Sequence, residues 1–191
     1  GMIEKAKDRA RVMLDTLYPY VADGTPIIGL EPSCLLTLRD EYSALLPGSG
    51  SNALAEHAFL FEEFLAAEAD AGNLKLSPNP LPQKLALLHG HCHQKAFAAM
   101  GAVEKTLRLI PDLEVKTIAS SCCGMAGSFG YQTETYDISM KMGELALLPA
   151  VRDADATTLI VADGTSCRHQ IKDGAGRTAI HVACVLEAAL A

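Results

Sequence analysis

Four short apolar runs in this chain each end at a cysteine, and that recurrence restricts the fold more than any other feature. Pro26-Ile27-Ile28-Gly29-Leu30 leads into Glu31-Pro32-Ser33-Cys34, and the run from Lys84 to Leu88 leads into His89-Gly90-His91-Cys92-His93. Val115-Lys116-Thr117-Ile118 leads into Ser121-Cys122-Cys123-Gly124, and Thr158 to Ala162 leads into Asp163-Gly164-Thr165-Ser166-Cys167. Runs of this length bounded by turn residues read as buried strands. Amphipathic stretches lie between them and predict helices: Lys5 to Tyr18 (Ala10, Met13, Leu14 and Leu17 on one face), Cys34 to about Leu46, Ala53 to Asp70, Cys92 to about Leu109, Glu134 to Leu147, a short one after Cys167, and Val182 to Leu190. Alternating strands and helices predict an α/β fold with a parallel, Rossmann-like sheet flanked by helices and joined by right-handed crossovers. Ligands of such sheets bind outside the carboxyl ends of the strands. Five of the six cysteines are therefore expected on one edge of one sheet.

Core packing alone would scatter cysteines over strands and helix faces, so their shared position points to chemistry. A strand-to-helix junction suits a thiolate, because free backbone N–H groups and the helix dipole stabilise sulfur charge. Gly124, Gly127 and Gly130 let backbone approach whatever is held there. Cys122 and Cys123 are adjacent, and a strand would bury only one of them, which favours a ligand role for both. His91 and His93 bracket Cys92 and are candidates for ligation or for hydrogen bonds to sulfur. His89 and His57 read as surface or packing residues, and Cys184, inside Val182-Ala183-Cys184-Val185-Leu186, reads as core. Lys95 and Arg168 either attract an anion or lie on a solvated face. Ser33-Cys34 to Asp40 also lines up with Ser166-Cys167 to Asp173, which reads as duplication of a strand–Cys–helix unit.

Composition excludes several classes. The 191 residues are 49% hydrophobic and 20% charged, as in a packed globular chain. The net charge of −7, without a basic run, argues against nucleic acid as a partner. No apolar stretch is long enough to span a bilayer and no signal segment opens the chain, so a cytoplasmic location is expected. Reduced thiols are the rule there, which favours metal or redox chemistry over disulfides. Gly1-Met2 reads as a cloning remnant and the chain as a piece of something longer.

His91-Cys92-His93, Ser121-Cys122-Cys123-Gly124 and Gly164-Thr165-Ser166-Cys167 together resemble the cysteine-rich CCG domain family. That domain occurs in heterodisulfide reductases, in the iron–sulfur component of glycolate oxidase and in anaerobic glycerol-3-phosphate dehydrogenases. Glu31-Pro32-Ser33-Cys34 with Arg39-Asp40-Glu41 is most similar to FAD-linked oxidases that carry such a part at their C-terminus. Family members usually hold two modules in tandem. The resemblance implies that residues 53–191 are a complete second module and residues 1–52 the tail of a first.

It further implies Cys92, Cys122, Cys123 and Cys167 as ligands of a [4Fe–4S] cluster, cubane or non-cubane, with Cys34 belonging to the first module. The fullest family pattern ends in Cys-x-x-Cys, and Gly164 stands where the first of those cysteines would be. Four thiolates still suffice for a cluster, and His91, His93 or His169 is placed to take the fifth position. The implied function is an oxidoreductase component that relays electrons from FAD in a partner domain or subunit. That partner would oxidise a 2-hydroxy acid of the glycolate, D-lactate or D-2-hydroxyglutarate type. The implied partners are the flavin domain and a ferredoxin-like [4Fe–4S] domain, with a peripheral-membrane or quinone-linked acceptor beyond them. No flavin fingerprint, ferredoxin Cys-x-x-Cys-x-x-Cys run or P-loop Lys-Ser/Thr ending is present, and no catalytic residue is assigned. The alternatives are a zinc domain with a structural or hydrolytic site, zinc being able to occupy such a site in protein purified in air, and a thiol–disulfide enzyme.

Overall fold

Short parallel strands organise the chain, as its alternation of elements requires. The computed structural model describes residues 1–191, which form two compact units, Gly1–Phe64 and Leu65–Ala191.

In the first unit, helix α1 (Ile3–Ala22) carries Pro19 in its last turn and stops at Gly24, whose φ of +79° suits glycine. Strand β1 (Ile27–Gly29) pairs in parallel with β2 (Ala58–Leu60), Ile27 opposite Ala58. Between them lie α2 (Pro32–Leu35), a 3₁₀ turn (Leu36–Leu38), α3 (Glu41–Leu45) and α4 (Ser49–His57). The single helix expected from Cys34 to Leu46 is therefore broken into three pieces. The helix expected over Ala53 to Asp70 is interrupted by β2 and resumes as α5 (Phe61–Asp70). The reason is tertiary. Arg39 donates from Nε to the Ala58 carbonyl at 2.7 Å and pairs through both terminal nitrogens with Glu63 at 3.0 and 2.5 Å. Glu63 in turn accepts from the Leu60 amide at 2.9 Å. This clamp holds residues 58–60 extended against β1, against their helical periodicity.

In the second unit, β3 (Leu85–Leu88) lies between β4 (Glu114–Thr117) and β5 (Leu159–Val161), all parallel. Ile180 adds one parallel bridge to Val161. After β3 come α6 (Cys92–Ala96) and α7 (Met100–Leu107), separated at Ala98 (φ +55°), where the sequence predicts one helix to Leu109. After β4 the loop reaches α8 (Tyr136–Glu144) and α9 (Leu147–Asp153). After β5 come α10 (Thr165–Ala175), ended by left-handed Gly176, and α11 (Val182–Leu190). Helix α7 packs on α11, and α10 packs on α8 and α9. Leu88, Leu147, Leu148, Ile160 and Ile171 are buried between these layers. No helix is long and apolar enough to cross a membrane.

The α/β class with parallel sheets flanked by helices is as expected, with one correction. Cys34 follows β1, and β1 belongs to a different sheet from the strands that precede the other cysteines. The shared edge is made by three strands, not four. The local match behind the internal repeat does hold: Cys34 is the third residue of α2 and Cys167 the third residue of α10, each after a parallel strand.

Candidate metal centre

Three strand ends deliver the cysteines of the second unit. Cys92 is the first residue of α6, and Cys167 lies in the first turn of α10. Cys122 and Cys123 depart from the expected helix start but precede a Gly-rich loop, as the sequence reads. No helix starts at them; a loop leads on to a 3₁₀ turn at Phe129–Tyr131 before α8. Gly124 (φ +97°), Ala126 (φ +42°) and Gly127 (φ +66°) fold that loop back on itself. A side chain at Gly124 would meet the Ser139 carbonyl oxygen at 2.1 Å, so only glycine fits there.

The four thiols form one connected set. Thiol hydrogen bonds link Cys92 with Cys122, Cys122 with Cys123, and Cys123 with Cys167. Cys123 and Cys167 are buried at 3% and 0% exposure, whereas Cys92 and Cys122 are half-buried and open the set toward solvent. Their proton affinities alternate. Hydrogen bonds from Cys123 and Cys92, with one from the Gly124 amide at 3.2 Å, hold Cys122 down at about 2. The bond from Cys123 holds Cys167 at about 5, against the effect of burial. Cys92 and Cys123 are pushed up, first by the hydrogen bonds they give Cys122 and then by desolvation and neighbouring sulfur charge. Neighbours that lower the proton affinity of Cys122 and Cys167 favour the form in which a cysteine ligates metal, the thiolate.

The polar residues around the sulfurs hold the three strand ends together. Lys95 donates to the carbonyls of Ser120 and Ser121 at 2.6 and 2.7 Å, tying α6 to the Cys-Cys loop. Burial lowers its pKa, and the four nearby cysteines oppose that shift. Arg168 donates to the Ala162 and Asp163 carbonyls, so both bases expected on a solvated face or at an anion are structural cations. Asp163, 1% exposed, accepts from Gln94 at 2.7 Å and from the Val182 amide at 3.0 Å. Gln94 itself accepts from the His91 amide at 2.9 Å. Sequence reasoning misses both Asp163 and Gln94 as site residues; the available cue is an acid and an amide just after two neighbouring strands.

The histidines are sorted by the structure. His91 caps α6, its Nδ1 accepting from the His93 amide at 3.2 Å, and its ring occupies the space beside Gly164. A Cβ at residue 164 would lie 2.4 Å from His91 Cδ2 and 3.3 Å from Cys167 Sγ. His93 packs edge-on against His91, with centroids 5.3 Å apart, and its Nδ1 is buried without a hydrogen-bond partner. His169 is bonded to the Tyr131 hydroxyl at 2.6 Å. His181 caps α11 and lies 3.6 Å from Asp163. His89, expected to be a surface or packing residue, is fully buried, and one of its ring nitrogens lies within 4.8 Å of Cys123 Sγ and Cys167 Sγ, which are equally close to each other. Cys34, in the first unit, and Cys184, on α11, are exposed, so the core assignment of Cys184 is corrected. Helical phase at Cys184 is the reason: Val182, Val185 and Leu186 take the buried face. All six thiols are free.

Fold and site together define a parallel α/β chain with a buried sulfur-and-imidazole donor set at the carboxyl ends of its strands. No family model matches this chain, and no solved structure matches it. Its sequence is 31% identical over 192 residues to a component of the anaerobic glycerol-3-phosphate dehydrogenase of Escherichia coli K12, covering all of this chain and 47% of that protein. It is 28% identical over 175 residues to D-2-hydroxyglutarate dehydrogenase of the same strain, covering 90% of this chain and 16% of that protein. The Pseudomonas putida KT2440 D-2-hydroxyglutarate dehydrogenase is 27% identical over 175 residues, with the same coverage. The chain thus spans about half the length of one kind of relative and about a sixth of the other. Both kinds are dehydrogenases or dehydrogenase components, which supports an oxidoreductase role for this cysteine-rich chain and fits the resemblance read from its Cys-Cys-Gly element.

Proposed function

We propose that this chain is the iron–sulfur electron-transfer part of an FAD-linked dehydrogenase, with residues 53–191 forming a complete CCG module and residues 1–52 the tail of another. The observation that carries the reading is the gathering of four thiols at three parallel strand ends, with Cys123 and Cys167 buried beside His89 and their donor atoms within 4.8 Å of one another. Cys92, Cys122, Cys123 and Cys167 would hold a [4Fe–4S] cluster, cubane or non-cubane, and Cys34 would serve the first module. When bound, such a cluster supplies one-electron chemistry.

The chain's own residues account for the rest. Buried Cys123 and Cys167 exclude water from the inner side, and half-buried Cys92 and Cys122 leave an edge through which an electron can pass. The Gly124 N–H aimed at Cys122 Sγ, with Lys95 close by, favours the more negative state and so raises the potential. Asp163 and Gln94 hold α6 and α11 in register, so the sulfurs keep their spacing. Electrons would come from FAD bound in another domain or subunit that oxidises a 2-hydroxy acid or a related substrate. They would leave through a ferredoxin-like [4Fe–4S] domain toward a quinone-linked acceptor at the membrane. A cytoplasmic setting agrees with six free thiols.

One observation favours a second reading. His89, Cys123 and Cys167 place three donors within 4.8 Å of one another, a nitrogen-and-sulfur set of the kind Zn²⁺ takes. Purification without oxygen, followed by iron, acid-labile sulfide and zinc analysis with visible and EPR spectra, separates the two. About four irons and four sulfides per chain are expected, lost in Cys122→Ser or Cys123→Ser. Stoichiometric zinc without iron, even after anaerobic reconstitution, would replace the cluster with a zinc site.

A further inference from the structure

We propose that His89, through Nε2, is the nitrogen ligand of this thiolate site, oriented by Ser120. The inference rests on the reading of the site as metal-holding, and it concerns a residue that neither the Cys-Cys-Gly pattern nor the surrounding motif marks out.

His89 is fully buried at the end of β3, its amide donating to the Val161 carbonyl at 2.9 Å. Nδ1 is engaged by Ser120 Oγ at 2.8 Å, one residue before the Ser-Cys-Cys-Gly loop. Nε2 is buried with no nitrogen or oxygen partner, and the group the ring meets on that side is the Cys167 sulfur. Buried polar atoms are almost always satisfied, so an orphaned nitrogen in an otherwise ordered site marks a place where something else binds. The direction in which it is left open is informative: His89 lies beside Cys123 and Cys167, with donor atoms within 4.8 Å. One ring nitrogen held by a hydroxyl and the other bare toward sulfur is the arrangement of a metal-ligating histidine, in which the outer partner fixes ring and tautomer. The other histidines fit less well. His91 spends Nδ1 on the α6 cap. His93 is outside the close donor group, although its Nδ1 is also unpartnered.

The chain reconstituted with iron and sulfide under argon, with and without ¹⁵N-histidine, provides the test by pulsed EPR of the reduced state. A histidine nitrogen coupling of the strength of direct coordination is expected in wild type, His91→Ala and His93→Ala, and is expected to vanish in His89→Ala. A cluster without that coupling, or with it intact in His89→Ala, overturns the His89 assignment and leaves the cluster reading standing. If no iron is taken up, the cluster reading fails by itself and Co²⁺ titration carries the test. Thiolate-to-cobalt absorption is then expected, with affinity at least about tenfold weaker in His89→Ala but unchanged in His93→Ala. Equal affinity and spectra in His89→Ala, or no Co²⁺ bound by wild type, overturns the assignment. Should His89→Ala fail to fold, Ser120→Ala frees the ring instead, and an affinity loss of about 10–100-fold is expected; no loss overturns the proposal.

Discussion

Replacing Gly124 with alanine should unfold the site without touching a sulfur. Two penalties are added. The backbone there has φ +97°, outside the range that residues with a Cβ adopt easily, at a cost of about 1–2 kcal/mol. The new Cβ would also lie 2.1 Å from the Ser139 carbonyl oxygen and 3.0 Å from its carbonyl carbon, with Gln170 Nε2 at 3.1 Å. Those are backbone atoms of α8 and a side chain itself bonded to Ser139, at 3.1 Å to both its carbonyl and its hydroxyl oxygen. Neither can swing away, so the loop or the helix must shift, at about 1–3 kcal/mol. The sum, about 2–5 kcal/mol, corresponds to a fall in Tm of roughly 8–20 °C for a unit of this size. Gly127 is the internal control. It too has positive φ (+66°), but a Cβ there meets nothing within 4 Å. Gly127→Ala should therefore cost about 1 kcal/mol, or roughly 4 °C. Thermal unfolding by circular dichroism on the metal-free chain reads both. Equal shifts in the two variants would refute the close approach of the Cys-Cys-Gly loop to α8, and no shift in Gly124→Ala would refute the loop conformation itself.

Asp163→Ala leaves the Gln94 amide and the Val182 N–H buried without an acceptor, and should lower stability by about 2–4 kcal/mol in urea unfolding, with Asp163→Asn milder. Arg39→Ala removes the clamp on Ala58 and Glu63 and should cost about 2–3 kcal/mol, read on the first unit by hydrogen exchange of the β2 amides. In the metal-free chain, thiolate absorbance in the ultraviolet should persist below neutral pH and show a step near pH 5 that is absent in Cys167→Ser. The sign follows from the depressed pKa: the stability contributed by the Cys167 thiolate is complete above the ordinary thiol range and is lost as pH falls through about 5. A single step near the ordinary thiol pKa of about 8.5 would refute the alternating thiol–thiolate arrangement.

Much of the architecture is legible in the sequence because strand periodicity and turn residues act locally. The runs before Cys92, Cys122 and Cys167 are strands within a residue of their expected bounds, and α11 matches its expected span. Failures cluster where a distant contact overrides local preference. Residues 58–60 read as helix until Arg39, nineteen positions earlier, takes the Ala58 carbonyl. Partition of the strands into two sheets is illegible for a related reason: every apolar run ending in cysteine looks alike, and only pairing decides which runs share a sheet.

The site follows the same division. That Cys92, Cys122, Cys123 and Cys167 share one sheet edge is legible because each follows the end of a strand, a position the sequence displays. His89 reads as a surface or packing residue from the sequence because the same run of letters, His89-Gly90-His91-Cys92-His93, offers three histidines with no local means of choosing among them. The choice depends on what sits one strand away: Ser120 holds one face of His89, Gly164 makes room for His91, and Gln94 and Asp163 fix the turn between them. Each of those partners lies at the carboxyl end of a strand or in the first turn after it. Parallel pairing is therefore what turns separate strand ends into one donor set. Gly164 illustrates the consequence. With no side chain it leaves a volume beside Cys167 that the His91 ring fills, so a position carrying a thiol in the fullest Cys-x-x-Cys pattern here carries space. With that space taken by His91, whose Nδ1 caps α6, the proposed nitrogen donor is His89, whose donor atom lies within 4.8 Å of Cys123 Sγ and Cys167 Sγ.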